Sequence, residues 1–207
     1  MALPTETVYG LGATAEHPAA VARLFQVKGR PPPPADRPYR WRGTLEDRVE
    51  EVPATARVCW PNTHGRGSLT LVLRRGRRVP LEATRGLETV AVRVPDHPVA
   101  LALLSAFGGG VAAPSVNRFV SLSPTTADHV RPGLGDAVDF LLAGGSRDDG
   151  VESTIVDVTG EIPSVLRPGG VTREDLEAVL GCPIAVPSTS RFRFPGQHPW
   201  QDPGPLR

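Results

Sequence analysis

A polar, glycine-punctuated stretch, Leu3-Pro4-Thr5-Glu6-Thr7-Val8-Tyr9-Gly10-Leu11-Gly12, precedes Lys28-Gly29-Arg30-Pro31. The first reads as a turn running into a helix. The lysine and arginine fall where that helix should end. Together they suit gripping a small polar molecule and a polyphosphate, lysine as a point charge and arginine as a planar fork for phosphate oxygens. Further polar residues recur where strands should end: Thr89/Arg93, Ser115/Asn117, Ser123, Ser153 and Arg167. Arg93 closes an apolar strand, and an arginine buried there needs a partner.

The elements that must position these groups are legible in part. Ala19 to Lys28 has helical apolar spacing with Pro18 in its first turn. Ser68–Leu73 and the alternating Thr89–Val94 read as strands, and Pro98–Phe107 as an apolar helix stopped by Gly108-Gly109-Gly110. Val111–Pro114 reads as a buried strand entering a polar loop, with Thr125/Thr126 opening the next helix. Ala137–Leu142, Thr154–Val158 and Val165–Arg167 read as strands, and Arg173–Leu180 as a helix capped by Thr172. Strands and helices interleave, so an α/β domain with a mixed sheet is expected. Pro31 to about Val58 lacks either period and reads as poorly structured.

Composition narrows the function classes. The chain has 207 residues, and 23 Lys+Arg nearly balance 22 Asp+Glu, so net charge alone does not mark a polyanion binder. Cys59 and Cys182 stand apart without metal-ligand spacing, which indicates neither a disulfide framework nor a zinc site. Asp148, Asp149 and Glu152 read as a solvated loop rather than a metal site. No apolar run approaches the ~18 residues of a membrane span and no signal peptide is recognisable, so a cytoplasmic protein without membrane partners is expected. The proline-rich residues 183–207 read as an extended or disordered tail.

In order and spacing, LPTETVYGLG, KGRP, TVAVRVPDHP, APSVN, SPTTA, GVESTIVD and LRPG resemble the YrdC/Sua5 family, the L-threonylcarbamoyladenylate synthases. The resemblance covers roughly residues 3–30 and 68–175. It implies an open, twisted mixed α/β sheet around a large concave basic cavity, formed by a domain over 1–182 with an aberrant segment at 31–67. It implies condensation of L-threonine, bicarbonate and ATP into threonylcarbamoyl-AMP and pyrophosphate, for the t6A modification of tRNA. Lys28 and Arg30 would be catalytic through charge neutralisation. Lys28, Pro32, Thr89, Ser115, Asn117, Ser123 and Arg167 would contact ATP. Thr5, Arg93, Ala113 and Ser153 would hold threonine. Mg2+ would ride on the phosphates without a protein metal site. tRNA or double-stranded RNA and a downstream t6A transferase complex would be further partners. The bland alternatives are a solvated Lys28/Arg30 pair at a helix end and serines serving only turns and caps.

Several departures from the family pattern shape the expectation. The helix and strand that usually precede the PTETVYG turn are not represented before Met1. Pro32–Arg42 stands where an apolar strand ending in a threonine-holding histidine is usual. Trp60–Thr70 is an expanded form of a short WPGPLTLVL motif, and Phe119-Val120 replaces a serine-glycine. Ser190–His198 resembles the start of an interdomain linker that closes over the nucleotide. Weak or no activity is therefore expected of the chain as written, with a nucleotide- or RNA-binding module of the same fold as the alternative. The related domain of hydrogenase-maturation carbamoyltransferases is disfavoured by the threonine-type PTETVYGLG.

Overall fold

The computed structural model describes residues 1–28, 40–42 (backbone), 67–84, 86–116, 124–145 and 151–186. Strand β1 (Ala2–Leu3) pairs antiparallel with β2 (Gly10–Leu11), so the polar stretch between them is a closed loop. Next come β3 (Ala13–Thr14) and helix α1 (Pro18–Val27), whose Pro18 sits in the first turn, where no N–H is required. Val21, Leu24 and Phe25 form its buried face at helical spacing. The chain continues through β4 (Arg40–Arg42), β5 (Leu69–Arg74), a short α2 (Leu81–Thr84) and β6 (Thr89–Val92). Helix α3 (Pro98–Phe107) is capped by His97, whose ring accepts from the Val99 N–H, and ends on left-handed Gly108. Strand β7 (Val111–Ala112), helix α4 (Ala127–Leu134, capped by Thr126), β8 (Thr154–Asp157), β9 (Ser164–Arg167) and α5 (Arg173–Leu180, capped by Thr172) complete the described elements.

Among the described residues, seven strands form one sheet in the order β3-β7-β4-β6-β5-β8-β9. The β4–β6 and β5–β8 pairs are parallel and the others antiparallel. The sheet is thus mixed, as the interleaved pattern implies. Past residue 182, Ile184 is buried and Ala185 bridges Ser164.

Two expectations need correction. Ala137–Leu142 is not a strand: Gly135–Ala137 is a 3-10 turn, and the stretch touches β1 at one bridge, Ala2 to Leu141. β1 is only two residues long and already paired with β2, so it offers that stretch a contact at Ala2 alone. Arg40–Arg42, within the segment read as poorly structured, is a central strand between β7 and β6. Its neighbours supply the pairing that its own sequence does not advertise. The rest of 31–66 lies outside the described residues.

The register gives the sheet two unlike faces. Leu71 pairs with Val92, Leu69 with Thr154, and Ile155 with Arg167. Cross-strand partners point the same way and alternate along each strand. Leu69, Leu71, Leu73, Val90, Val92, Ala112, Val156 and Val165 therefore share one face, and all belong to the hydrophobic core. The opposite face carries Thr70, Val72, Thr89, Ala91, Arg93, Ile155 and Arg167, joined by Ser153 and Ala113 just beyond β8 and β7. Parity sorts core from polar side chains on β5, β6 and β8, and a register shift at Ile155/Val156 in the β8–β9 pair sets Val165 and Arg167 on opposite faces.

That sorting is testable with neighbouring residues of β5. Leu71→Ala should remove about 2–5 kcal/mol of stability. Val72→Thr, one residue away on the polar face, should cost less, because the added hydroxyl lies on the face that carries polar groups able to pair with it. Urea unfolding of both variants checks this, and equal losses would contradict the assigned faces.

Candidate functional site

Arg93 lies where β6 ends and has no solvent exposure. A buried guanidinium must find acceptors, and three groups supply them. Its Nε donates to the Gly67 carbonyl at 2.6 Å, and its Nη2 donates to Thr7 Oγ1 at 2.8 Å and to the Glu6 carboxylate. The second Glu6 oxygen accepts from the Asp96 backbone N–H at 2.9 Å. Gly67 meets this network with φ +96°, a conformation that suits glycine, and a Cβ there would come within 3.6 Å of Glu6 Cγ. Nη1 is buried with no partner among the described residues. Burial pushes the Arg93 pKa down to about 9, with Arg167 pushing the same way and Glu152 opposing. The cation persists at neutral pH.

Beside it, the Ser153 hydroxyl lies 2.7 Å from Thr70 Oγ1, both fully buried. Arg167 pairs with the Glu152 carboxylate and donates to the Ser153 carbonyl and, at 3.3 Å, to its hydroxyl. The turn after β9 braces this segment. Gly170 N–H donates to the Glu152 carbonyl at 3.1 Å, and Gly169 lies so close that a Cβ would fall 2.3 Å from that oxygen. Glu6, Arg93, Glu152 and Arg167 thus form a cluster of both charge signs at one end of the polar face.

The loop between β1 and β2 links this end to the other. Thr5 donates to the Val8 carbonyl at 2.6 Å and stands 3.2 Å from Thr7 Oγ1. Its hydroxyl hydrogen is committed to Val8, and its oxygen accepts from the Thr7 N–H at 3.4 Å. Tyr9 anchors the loop: its N–H donates to Pro124, its carbonyl accepts from Val116, and its hydroxyl accepts from Gly144 N–H at 3.1 Å. Gly10 bridges Ser115. Lys28, the C-cap of α1, is 6% exposed and donates from Nζ to the Ser115 carbonyl. A solvated charge at a helix end is therefore the wrong description of Lys28. Ala113 is buried beside Gly10.

The structure thus brings together Arg93, Ser153 and Arg167 at one end, and Lys28 with Ser115 at the other. Thr89 shares the polar face but sits at the opposite end of β6, about 13 Å from Arg93 at the strand rise. Arg30, Pro32, Asn117 and Ser123 lie outside the described residues. Among the described residues no three His, Cys, Asp or Glu side chains converge as a metal site, and no helix is long and apolar enough to cross a membrane. Sequence reasoning missed Glu6, Thr70 and Glu152 as members of the cluster. For Glu6 a signal existed: a buried strand-end arginine requires an acidic partner.

Comparison with known proteins bears on the family and the fold. The Sua5/YciO/YrdC family model, described as telomere recombination, matches residues 1–169. The threonylcarbamoyl-AMP synthase of Bacillus subtilis is 43% identical over 195 residues, covering 90% of this chain and 54% of that protein. The crystal structure of Pyrococcus abyssi Sua5 complexed with L-threonine is similar at a TM-score of 0.81 and 42% identity, over 89% of this chain and 54% of that one. Escherichia coli YciO shares the fold at a TM-score of 0.73 and 24% identity, over 84% and 85% of the two chains. The chain spans about half the length of the Bacillus and Pyrococcus relatives it matches.

The brace after β9 gives a direct test. Gly169→Ala should force the Glu152–Thr154 backbone away and cost about 1–3 kcal/mol, the range for overpacking. Thermal and urea unfolding measure it, and an unchanged midpoint would show that the brace is slack.

Proposed function

The chain belongs to the Sua5/YciO/YrdC family, and from that membership we propose that it is an L-threonylcarbamoyladenylate synthase. In this reading L-threonine, bicarbonate and ATP yield threonylcarbamoyl-AMP and pyrophosphate for the t6A modification of tRNA. The observation that carries it is Arg93 Nη1, a buried donor without a partner. Leaving it unsatisfied costs about 1–3 kcal/mol. A substrate carboxylate oxygen placed there would turn that penalty into a charge-assisted bond. The threonine named with the Pyrococcus structure is a ligand with such a carboxylate. Because Arg93 and Ser153 are closed to solvent, their cover must part for entry.

The polar face suits the whole reaction. Threonine would sit at Arg93, its amine near Thr5 and its hydroxyl near Ser153 and the Ala113 wall. The amine attacks bicarbonate to give a carbamate with loss of water. A carbamate oxygen then displaces pyrophosphate from the α-phosphorus of ATP. No covalent enzyme intermediate is needed, so the protein contributes orientation and charge. The distance of about 13 Å from Arg93 to Thr89 leaves room for an amino-acid head at one end and a nucleotide towards Ser115 and Lys28. Lys28 and Arg30 would neutralise the triphosphate, and Arg167 would exchange Glu152 for phosphate oxygens. Pro32, Asn117 and Ser123 would complete the ATP contacts. Mg2+ would come with the triphosphate, held by its oxygens and water. The open twist of the sheet, a basic cavity, cytoplasmic location, an unpacked tail beyond the domain and tRNA or t6A-transferase partners belong to the same proposal.

Threonine-dependent pyrophosphate release from ATP and bicarbonate tests it. Lys28→Ala should weaken ATP use by about 2–3 kcal/mol, the loss of a charge-assisted contact. Arg93→Ala should abolish the threonine dependence while leaving ATP binding nearly intact. ATP binding without threonine binding in the unsubstituted chain would favour a nucleotide-binding module instead.

A further inference from the structure

We infer that Glu6 is a positioning residue: it fixes the Arg93 guanidinium so that Nη1 alone is presented to the substrate carboxylate. This rests on the synthase reading above for the identity of the ligand, and on the geometry of Glu6 for the rest.

A carboxylate on an arginine can be a permanent support or a stand-in that a substrate displaces. Glu6 is built as a support. One of its oxygens accepts from Arg93 Nη2 while the other accepts from the Asp96 N–H at 2.9 Å. A displaced Glu6 would have to break both bonds at once, the one to Asp96 being to a backbone group that does not move with the guanidinium. Its stem also packs beside left-handed Gly67, which holds Arg93 Nε through its carbonyl at 2.6 Å. Thr7 shares Nη2 at 2.8 Å. Three groups therefore occupy the Nε and Nη2 side of the guanidinium, and Nη1 is left without one. The usual two-pronged grip of arginine on a carboxylate is thereby divided: Glu6 takes one prong permanently and the ligand receives the other. The ligand's second carboxylate oxygen must then be met by other groups on the polar face.

The test uses the full chain with Glu6→Gln, which preserves shape but cannot serve both Arg93 and the Asp96 N–H as acceptors. Threonine and ATP dissociation constants are measured by calorimetry, and the Arg93 Nε–H is followed by NMR with 15N-labelled arginine. In the unsubstituted protein that Nε–H should be resolved and slow to exchange. In Glu6→Gln it should broaden or exchange rapidly, threonine affinity should fall about tenfold, and ATP affinity should stay within about twofold. The threonine loss should also vanish in an Arg93→Lys background, because the two residues act as a unit. Should Glu6→Gln not fold, Glu6→Asp, one methylene too short to reach both partners, carries the same expectations. An unchanged Arg93 signal together with unchanged threonine affinity overturns the inference. So does tighter threonine binding, which would make Glu6 a competitor, and so does an equal fall for threonine and ATP. If the unsubstituted chain binds no threonine while the Arg93 signal still depends on Glu6, the positioning role stands and the synthase reading fails.

Discussion

A cation with no access to water, Arg93, sets the conditions for everything around it. Removing a guanidinium from solvent is expensive unless its donors and its charge are both answered. Here the answer comes from distant parts of the chain: a carboxylate and a hydroxyl from the β1–β2 loop, and a carbonyl from Gly67, two residues before β5. Arg167 adds a repulsion that Glu152 offsets. The result is an alternating set of charges in which each member is held by its neighbours, with one donor left over. A fully satisfied arginine would be a structural ion pair. The unsatisfied nitrogen is what makes this one a candidate binding group.

The sheet makes that cluster possible through its period of two. Core residues on β5, β6 and β8 alternate with Thr70, Arg93 and Ile155, so one register serves both the apolar core and the polar face. A slip of one residue in any of these strands would bury the arginine among leucines and valines and expose the core. Stability and site geometry are therefore tied to the same pairing. The hydrophobic face fixes the register, and the register fixes the site.

Much of this was legible from residues alone. α1, α3 and α5 end where their Pro, Gly and Thr signals place them, and β5, β6, β8 and β9 are apolar enough to announce themselves. β1, β2 and β3 are two residues long, too short to show alternation, and they exist because neighbouring backbone completes them. Arg40–Arg42 has no strand character of its own and is held from both sides. Phe140, 70% exposed, shows why Ala137–Leu142 misleads: an apolar run without a partner strand remains a loop. In the site, Lys28, Arg93, Ser115, Ser153 and Arg167 stood out by type and position. Glu6 and Glu152 did not, because an acidic residue in a polar loop is ordinary until its partner's burial is known.

The Glu6–Arg93 contact joins residues 87 positions apart, and the cluster is complete only when Ser153 and Arg167 have joined it. At the pace of translation, on the order of ten seconds pass between the emergence of Glu6 and that of Arg167. For about the first half of that interval the β1–β2 loop is made and Arg93 is not. Until β8 and β9 follow, the nascent protein has only the Arg93 half of the cluster, without Glu152, Ser153 and Arg167. In the proposed reading, a ligand that needs both halves would be held only once β8 and β9 have docked, so its binding would report that the sheet is assembled.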